Sequence, residues 1–284
     1  MDALIASYGE TDSDSDLDSS PPISIAPQNP LPSALPPPPV SLLTPPNSLL
    51  GTLEDLQTIQ PTRVRSFPHV EGNYALHVYI PVHVPQSSRK DAAQFLKKVS
   101  SNFPGLHVVD ADIPLNTLQN DGQKLENNAL GREFHISLGR TVPIRVHQID
   151  SVVNMLRQKL QFQKQYWIDF NKWEVFVNDD HTRAFISIEV TTGGLSEITK
   201  QIQAVNQVYR LHNLPEFYKN PRPHISLTWA LGDSSDLLRR IVEETKKHLD
   251  VEGSLPKRVF TVKFSGIECK IGQKTYTICK MPGE

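Results

Sequence analysis

The sequence predicts an α+β fold of two similar lobes, each an antiparallel sheet with helices on its outer face, with a central groove between them. Three observations predict this class. Segments that alternate in polarity like strands are interleaved with segments that have the apolar spacing of helices. The order of these segments is similar in the two halves of residues 66–284. One predicted strand in each half contains the same four residues, HISL, at 135–138 and at 224–227.

Residues 1–65 differ in composition from the rest of the chain. They hold 12 of the 23 prolines, with eight acidic and two basic side chains, and they include the run ETDSDSDLDSS. Such a segment buries too little apolar surface to offset the entropy of ordering it, so we predict a disordered acidic and proline-rich leader. Residues 66–284 carry 27 basic and 23 acidic side chains, a net charge of +4 that is compatible with a polyanionic ligand.

The sequence also indicates the cellular compartment of the protein. The two cysteines, Cys269 and Cys279, are too few for a disulfide framework and lie in a strand pattern, which favours reduced, half-buried thiols in an intracellular protein. The N-terminal stretch MDALIASYGETDSD lacks the basic and apolar regions of a signal peptide, and no apolar run approaches the ~18 residues of a membrane span. We therefore expect a soluble protein of the cytoplasm or nucleus with no membrane partner.

The first half of the folded part has the order strand, helix, strand, helix. Residues 73–84, NYALHVYIPVHV, alternate in polarity and are rich in aromatic and β-branched residues, which predicts a strand. Residues 87–103 have apolar positions at helical spacing. After a loop and the first HISL strand, residues 144–163 predict a second helix. We place this first lobe at roughly residues 66–165.

Residues 166–284 form the second predicted lobe. Its predicted elements are two strands within 173–191 joined by a polar turn at Asn178–His181, a helix at 194–212, the second HISL strand at 223–231 and a helix at 234–249. A final hairpin within 258–281 is expected to turn at Gly272 and Gln273. Identity between the halves is confined to the HISL motif, so internal duplication is a hypothesis.

The repeated motif has a definite geometry in a strand. Because successive side chains point to opposite faces, His135 and Ser137 share one face while the flanking apolar residues share the other. His224 and Ser226 share a face in the same way. The apolar faces can pack on helices, which leaves an imidazole and a hydroxyl about 7 Å apart on each strand. If the lobes are related by a pseudo-twofold axis, the two polar faces line one groove.

Two imidazoles in one groove suit general acid–base catalysis. With an unperturbed pKa of about 6.5, one imidazole can accept a proton while the other donates one near neutral pH. Cleavage of RNA by its own 2′-hydroxyl needs this pair, a base for the hydroxyl and an acid for the departing 5′-oxygen. The hydroxyls of Ser137 and Ser226 would then bind the non-bridging phosphate oxygens. No metal and no cofactor is required.

Other uses of the motif are less well supported by the residues. A single His-x-Ser is common by chance, but two identical copies in strands of the same phase favour a shared function. A zinc site would lack a third ligand at a recognisable spacing, and a serine nucleophile would lack a Gly-x-Ser-x-Gly elbow. Five other histidines are interpreted as strand, turn or helix-surface residues: His77, His83, His147, His181 and His212.

The residues around the two motifs resemble a known family. Paired His-x-Ser motifs in a bilobal α+β domain are similar to the two-histidine (2H) phosphoesterase superfamily. The contexts REFHISLGR and FYKNPRPHISLTW, with the acidic proline-rich leader, resemble its U6 small nuclear RNA phosphodiesterase family. The resemblance covers about residues 66–284. It implies a metal-independent 3′–5′ RNA exonuclease of the nucleus that trims the 3′ oligouridine tail of U6 during its 3′ end processing for splicing, and leaves a 2′,3′-cyclic phosphate.

The resemblance also implies roles for individual residues. His135 and His224 would be the catalytic pair, and Ser137 and Ser226 would bind phosphate. Tyr218, six residues before the second histidine, lies where the family has an aromatic residue that stacks on the terminal base. The remaining implied nucleotide-binding positions are Asn220, Arg222 and Pro223. The expected partner is the 3′ end of an RNA, bound by a monomer, since a groove complete in one chain gives no reason to pair.

Two other classes of protein stay open on the sequence alone. One is another 2H enzyme, such as a cyclic nucleotide phosphodiesterase or a 2′–5′ RNA ligase. The other is a non-catalytic RNA-binding module. The motifs also leave open which histidine is the base and which the acid, and whether the cyclic phosphate is opened by water.

Overall fold

Two antiparallel five-stranded sheets form the centre of the computed structural model, which describes residues 70–251 and 258–282. The predicted leader at residues 1–65 lies outside the described residues. The strands are β1 Asn73–His83, β2 His107–Val108, β3 Glu133–Ser137, β4 Val142–Arg145, β5 Trp167–Val177, β6 Arg183–Val190, β7 His224–Leu231, β8 Phe260–Lys263, β9 Gly266–Ile271 and β10 Lys274–Lys280. The helices are α1 Gln86–Asn102, α2 Gly122–Leu125, α3 Ile149–Leu160, α4 Leu195–Leu211 and α5 Ser235–Val251.

The first sheet has the strand order β10-β9-β1-β3, with β4 also paired to β1. The long strand β1 is its centre. Its beginning pairs with β4 and its end with β3 on one side, while its middle pairs with β9 on the other. The first motif strand, β3, is therefore held at an edge of this sheet by the end of β1.

The second sheet has the order β2-β7-β6-β5-β8. The second motif strand, β7, pairs with β6 along its length and with the two residues of β2 on its other side. A register shift lies between Ile186 and Ser187 of β6, opposite the motif. Such a shift re-aims the side chains on either side of it.

Helices cover the outer faces of both sheets, but not in chain order. Helix α3 packs against β9, β10 and α4, whereas α5 packs against β5 and α1. In α1, Phe95 stacks on Trp173 of β5, with ring centroids 3.9 Å apart. Helix α1 follows β1 of the first sheet but packs on the second sheet. Helix α4 follows β6 of the second sheet but packs with α3, which covers the first sheet.

The predicted division near residues 165 and 166 therefore does not follow the sheets. Strands β9 and β10 come from the second half of the chain and pair with β1, while β2 comes from the first half and pairs with β7. Each sheet is therefore built from strands of both halves of the chain.

Most predicted elements are confirmed within a few residues, including the turn at Gly272 and Gln273 between β9 and β10. The predicted helix at 144–163 is wrong at its start. Val142 and Ile144 are buried and alternate with exposed Pro143 and Arg145, so the chain forms β4 and a 3₁₀ turn before α3 begins at Ile149. Periodicity over so short a segment does not separate a strand from a helix.

The predicted C-terminal hairpin is also divided between the two sheets. Strand β8 pairs with β5 in the second sheet, and β9 begins at Gly266 in the first. Gly266 has a φ of +148°, and a Cβ at this position would overlap the carbonyl oxygen of Cys279. Only glycine accommodates this change of sheet without strain. The two cysteines nearby, in β9 and β10, are free thiols and are buried rather than half-buried.

The stack of Phe95 on Trp173 generates a prediction for stability. Phe95 is 1% exposed and joins α1 to the second sheet. Phe95→Ala is expected to lower the free energy of unfolding by about 3–5 kcal/mol, because it removes the buried ring and leaves a cavity. Chemical denaturation measures this change. Phe162→Ala is the matched control, since Phe162 is 87% exposed, and is expected to change the value by less than about 0.5 kcal/mol. Equal effects of the two substitutions would contradict the prediction.

Candidate active site

The two HISL strands contact each other at the boundary between the sheets, β3 from the first and β7 from the second. Their apolar residues are buried, with Ile136 and Ile225 both at 0% exposure. The histidine and serine of each motif are partly exposed on the opposite faces. The alternation predicted from the sequence is therefore confirmed for both motifs.

A groove of about 730 Å³ runs along these polar faces. Ser137 of β3 lines it together with His224 and Ser226 of β7. His135 is not among the residues that line the groove, but it lies close enough to His224 for its positive charge to lower the pKa of His224. The structure thus brings the four predicted motif residues together.

The imidazole of His224 is held by a hydrogen bond to the backbone and by a stack on an aromatic ring. Its Nδ1 lies 2.7 Å from the carbonyl oxygen of Arg222, and its ring stacks on Phe176 with centroids 3.8 Å apart. Since a carbonyl can only accept, Nδ1 carries the proton. Nε2 of the neutral ring then holds a free lone pair.

The pKa of His224 is lowered from its ordinary value, chiefly because burial disfavours the charged ring. The positive charges of His135 and Arg222 act in the same direction. The hydrogen bond to the Arg222 carbonyl and the negative charge of Glu189 oppose the shift without reversing it. His224 is therefore biased towards the neutral form, which can accept a proton.

A charge network lies behind His224. The guanidinium of Arg222 donates two hydrogen bonds of 2.7 Å to Glu189 and one of 2.9 Å to Glu174. It also lies 4.6 Å above the ring of Phe176. Although burial raises the pKa of Glu174, hydrogen bonds from Lys172, the backbone N–H of Val175 and Arg222 lower it to about 2. Arg222 thus lines the groove with its donors directed to two carboxylates.

His135 has different neighbours. The ring of His77 approaches it edge-on, with centroids 4.8 Å apart and an interplanar angle of 83°. His77 Nε2 lies 3.0 Å from the hydroxyl oxygen of Ser137, and the ring of Tyr79 stacks on His77. Tyr79 donates a hydrogen bond of 2.9 Å to Glu268, and burial followed by this bond raises the pKa of Tyr79. The interpretation of His77 as an ordinary strand residue was incomplete, because it contacts two motif residues.

The second motif serine also has a polar neighbour. Ser226 lies opposite Ser187 of β6, and their hydroxyl oxygens are 3.0 Å apart. Ser187 itself is fully buried. Each motif serine therefore contacts one polar side chain on the adjacent strand.

The predicted nucleotide-binding residues are only partly brought to the groove. Tyr218, Asn220 and Arg222 line it, whereas Pro223 is buried and is not part of the lining. Tyr218 is 45% exposed, and its hydroxyl donates a hydrogen bond of 2.8 Å to Asp179.

Arg140, in the loop between β3 and β4, joins this cluster. Its guanidinium lies 4.3 Å above the Tyr218 ring and forms an ion pair of 2.8 Å with Asp179. Sequence reasoning missed Arg140 and Asp179, as it missed His77, Phe176 and Ser187. The alternation of β1 could have placed His77 and Tyr79 on one face, but no sequence signal gave the strand pairing that sets them against the motif.

The part of the chain that the structure describes contains no group of three or more His, Cys, Asp or Glu side chains placed to hold a metal ion. Within the same residues, no helix has the length and apolar character of a membrane-spanning segment.

Two antiparallel sheets that each present a His-x-Ser strand to one groove define a 2H phosphoesterase fold. A solved structure, that of Kluyveromyces marxianus Usb1 with uridine monophosphate, has this fold. It matches with a TM-score of 0.50 over 72% of this chain and 97% of that chain, at 11% sequence identity. At such low identity, the match concerns the fold alone.

Comparison of sequences identifies the family. Residues 36–279 match the family described as "HVSL: Uncharacterised conserved protein". Human U6 snRNA phosphodiesterase 1 is 30% identical over 257 residues, which are 88% of this chain and 86% of the human protein. The Xenopus laevis protein of the same name is 31% identical, over 83% of this chain and 88% of its own. The chain therefore belongs to the U6 snRNA phosphodiesterase family.

The environment of His224 generates a prediction about its titration. Measured by NMR, the titration midpoint of the His224 imidazole should lie below about pH 6.5. Glu189→Gln should lower this midpoint further, because the substitution removes a negative charge that favours the imidazolium. The unfolded chain then binds this proton more readily than the folded one, so the contribution of His224 to stability is lost as the pH falls below about 6.5. Glu243→Gln on α5 is the control and should leave the midpoint unchanged. A midpoint above the ordinary value would contradict the prediction.

Proposed function

We propose that this protein is a metal-independent 3′–5′ RNA exonuclease that trims the 3′ oligouridine tail of U6 snRNA and leaves a 2′,3′-cyclic phosphate. The observation that carries the proposal is the pair of His-x-Ser strands on one groove, in a chain that matches relatives named U6 snRNA phosphodiesterase 1 over most of its length. Its place of action is then the nucleus, during U6 3′ end processing for splicing. Two imidazoles beside one groove can supply the acid and the base that this class of enzyme needs.

His224 is proposed as the base of the first step. The hydrogen bond from Nδ1 to the Arg222 carbonyl leaves the Nε2 lone pair as the acceptor, and the lowered pKa favours the neutral ring near pH 7. In the reaction, the 2′-hydroxyl of the penultimate nucleotide gives its proton to Nε2. Its oxygen then attacks the phosphorus of the last phosphodiester, forming the O2′–P bond.

His135 is proposed as the acid. A neutral His224 allows the neighbouring His135 to carry a proton without repulsion between two charged rings. As the bond between phosphorus and the 5′-oxygen breaks, His135 gives this proton to the leaving oxygen. The products are a free nucleoside and an RNA shortened by one residue.

Ser137 and Ser226 are proposed to bind the two non-bridging phosphate oxygens. They belong to opposite strands and both line the groove, so one phosphate can accept a hydrogen bond from each. Negative charge on these oxygens grows towards the transition state, and donors that are already in place stabilise it without reorganisation.

The terminal base is proposed to stack on Tyr218, whose ring is 45% exposed at the groove. Stacking of a base on an aromatic ring contributes about 1–3 kcal/mol and depends little on sequence. Asn220 lies on the same wall and is proposed to contact the nucleotide. Arg222 and Pro223 would act indirectly, since they hold the start of β7 and therefore His224.

The catalytic unit is proposed to be residues 66–284. The disorder of the acidic, proline-rich leader at 1–65 stays a prediction. All the proposed catalytic and phosphate-binding residues lie in one chain, on β3 and β7. A monomer is therefore proposed to be sufficient for activity.

The reaction can be tested with a 5′-labelled oligouridine in EDTA. We expect stepwise shortening from the 3′ end to 2′,3′-cyclic phosphate products, because the proposed step needs only protein side chains and the 2′-hydroxyl of the RNA. An oligouridine with a 2′-deoxy penultimate ribose should resist cleavage, since it lacks the nucleophile. If the RNA is not shortened, or if the deoxy substrate is cleaved at the same rate, the proposal fails.

The roles of the histidines can be separated by a change of leaving group. His135→Ala and His224→Ala should each slow cleavage of oligouridine by about 10²–10⁴-fold. In uridine 3′-(4-nitrophenyl phosphate), the nitrophenolate leaves without being protonated, so the acid is not needed. His135→Ala should then slow the reaction less than about tenfold, while His224→Ala should keep its full effect. The control His83→Gln, at a side chain that is 63% exposed on β1, should resemble the wild type in both assays. The opposite pattern would exchange the two roles.

A further inference from the structure

Each motif serine has a polar partner that lies outside the motif. Ser137 contacts Nε2 of His77 on β1, and Ser226 contacts the hydroxyl of Ser187 on β6, each at 3.0 Å. Both partners lie on the strand that pairs with the motif strand, Ser187 directly opposite Ser226 and His77 two residues before Tyr79, the residue opposite Ser137. They are not part of the repeated sequence, so the structure supplies each motif serine with a polar partner through two different side chains.

Each serine hydroxyl has only one proton, and this decides the direction in which each of the two hydrogen bonds is useful. A serine hydroxyl has one proton to donate and can accept hydrogen bonds at its oxygen at the same time. If the neighbour accepted, the only proton of the serine would be directed away from the groove. If the neighbour donates, the serine oxygen is satisfied and its own proton is free to point at a ligand in the groove.

We propose that His77 and Ser187 are positioning residues, which donate a hydrogen bond to the oxygens of Ser137 and Ser226 and so direct both serine protons to the phosphate. The inference rests on the proposed function, because it concerns the same phosphate site. Neither His77 nor Ser187 touches the reacting atoms, and each acts through its serine.

The surroundings of His77 support its role as a donor. Its ring is held between Tyr79, stacked at 5.0 Å, and His135, whose ring meets it edge-on at 4.8 Å. Tyr79 is anchored in turn by its hydrogen bond to Glu268. A neutral His77 with its proton on Nε2 supplies the donor to Ser137 without adding a second positive charge beside His135.

The burial of Ser187 supports the same direction in the other sheet. Its side chain is fully buried, so its hydroxyl proton cannot turn to water. A buried donor left without an acceptor costs about 1–3 kcal/mol, and the oxygen of Ser226 is the acceptor that Ser187 contacts. Ser226 is partly exposed at the groove, where its own proton can reach a ligand.

A double-mutant cycle tests the first pair. His77→Phe keeps an aromatic ring but removes the donor, and should lower kcat on oligouridine by about 10- to 100-fold, a part of the 10²–10³-fold that loss of a whole oxyanion donor causes. His77→Gln restores an N–H at a similar reach and should stay within about threefold of the wild type. In a Ser137→Ala background, His77→Phe should change kcat by less than about twofold, because the hydroxyl that it orients is gone.

The same logic applies to the second pair. Ser187→Ala should lower kcat in the wild-type background, and should have less than about a twofold effect when Ser226 is already alanine. His83→Gln, on the same strand as His77 but largely exposed, is the control for both cycles. Thermal unfolding of every variant identifies any loss of activity that comes from loss of the fold.

Both double-mutant cycles can be repeated with binding in place of kcat, by measuring the affinity for uridine 3′-monophosphate with calorimetry. This measurement involves no turnover. It keeps failure of this inference distinct from failure of the proposed function. The affinity should fall in His77→Phe and Ser187→Ala, and should not fall further once the serine partner is removed. Effects that multiply with those of the serine substitutions, in kcat or in affinity, would overturn the proposal, as would a His77→Gln variant no better than His77→Phe.

Discussion

The architecture of the site depends on one constraint, that each HISL strand must bury its isoleucine and leucine while its histidine and serine face a common groove. The alternation of a strand meets this constraint within five residues. Both isoleucines are fully buried, so a slip of one residue in either pairing would place apolar groups in the groove and the imidazoles in the core. Pairing with β1 fixes the register of the first motif strand, and pairing with β6 fixes that of the second.

The two halves of the site are similar in backbone and different in environment. His224 lies against Phe176, hydrogen-bonded to a carbonyl and backed by the Arg222–Glu189 pair. His135 lies against a second imidazole, that of His77. A symmetric pair of histidines would divide the proton equally. The different neighbours bias one ring towards the neutral form, which an acid–base pair requires.

The sequence predicted much of the fold because most of its elements have strong periodicity. Strand β1, helices α1, α4 and α5 and both motif strands lie close to their predicted bounds. The end of the short strand β4 was taken for the start of a helix, and β8 was included in the final hairpin, since four-residue segments carry little periodic signal. The assignment of strands and helices to lobes could not follow from chain order, because the chain crosses between the sheets several times.

The sequence by itself determined which residues share a face, because alternation is a local property of the backbone, and so it brought forward His135, Ser137, His224 and Ser226. Only the tertiary structure decided what stands beside them. Strand pairing places His77 beside Ser137 and Ser187 beside Ser226, and the fold brings Arg140 to Asp179. These hydrogen bonds join residues that are 39 to 60 positions apart in the chain. Phe176 stacks on His224. Such pairings depend on the burial of whole sheets, which no local pattern of residues records.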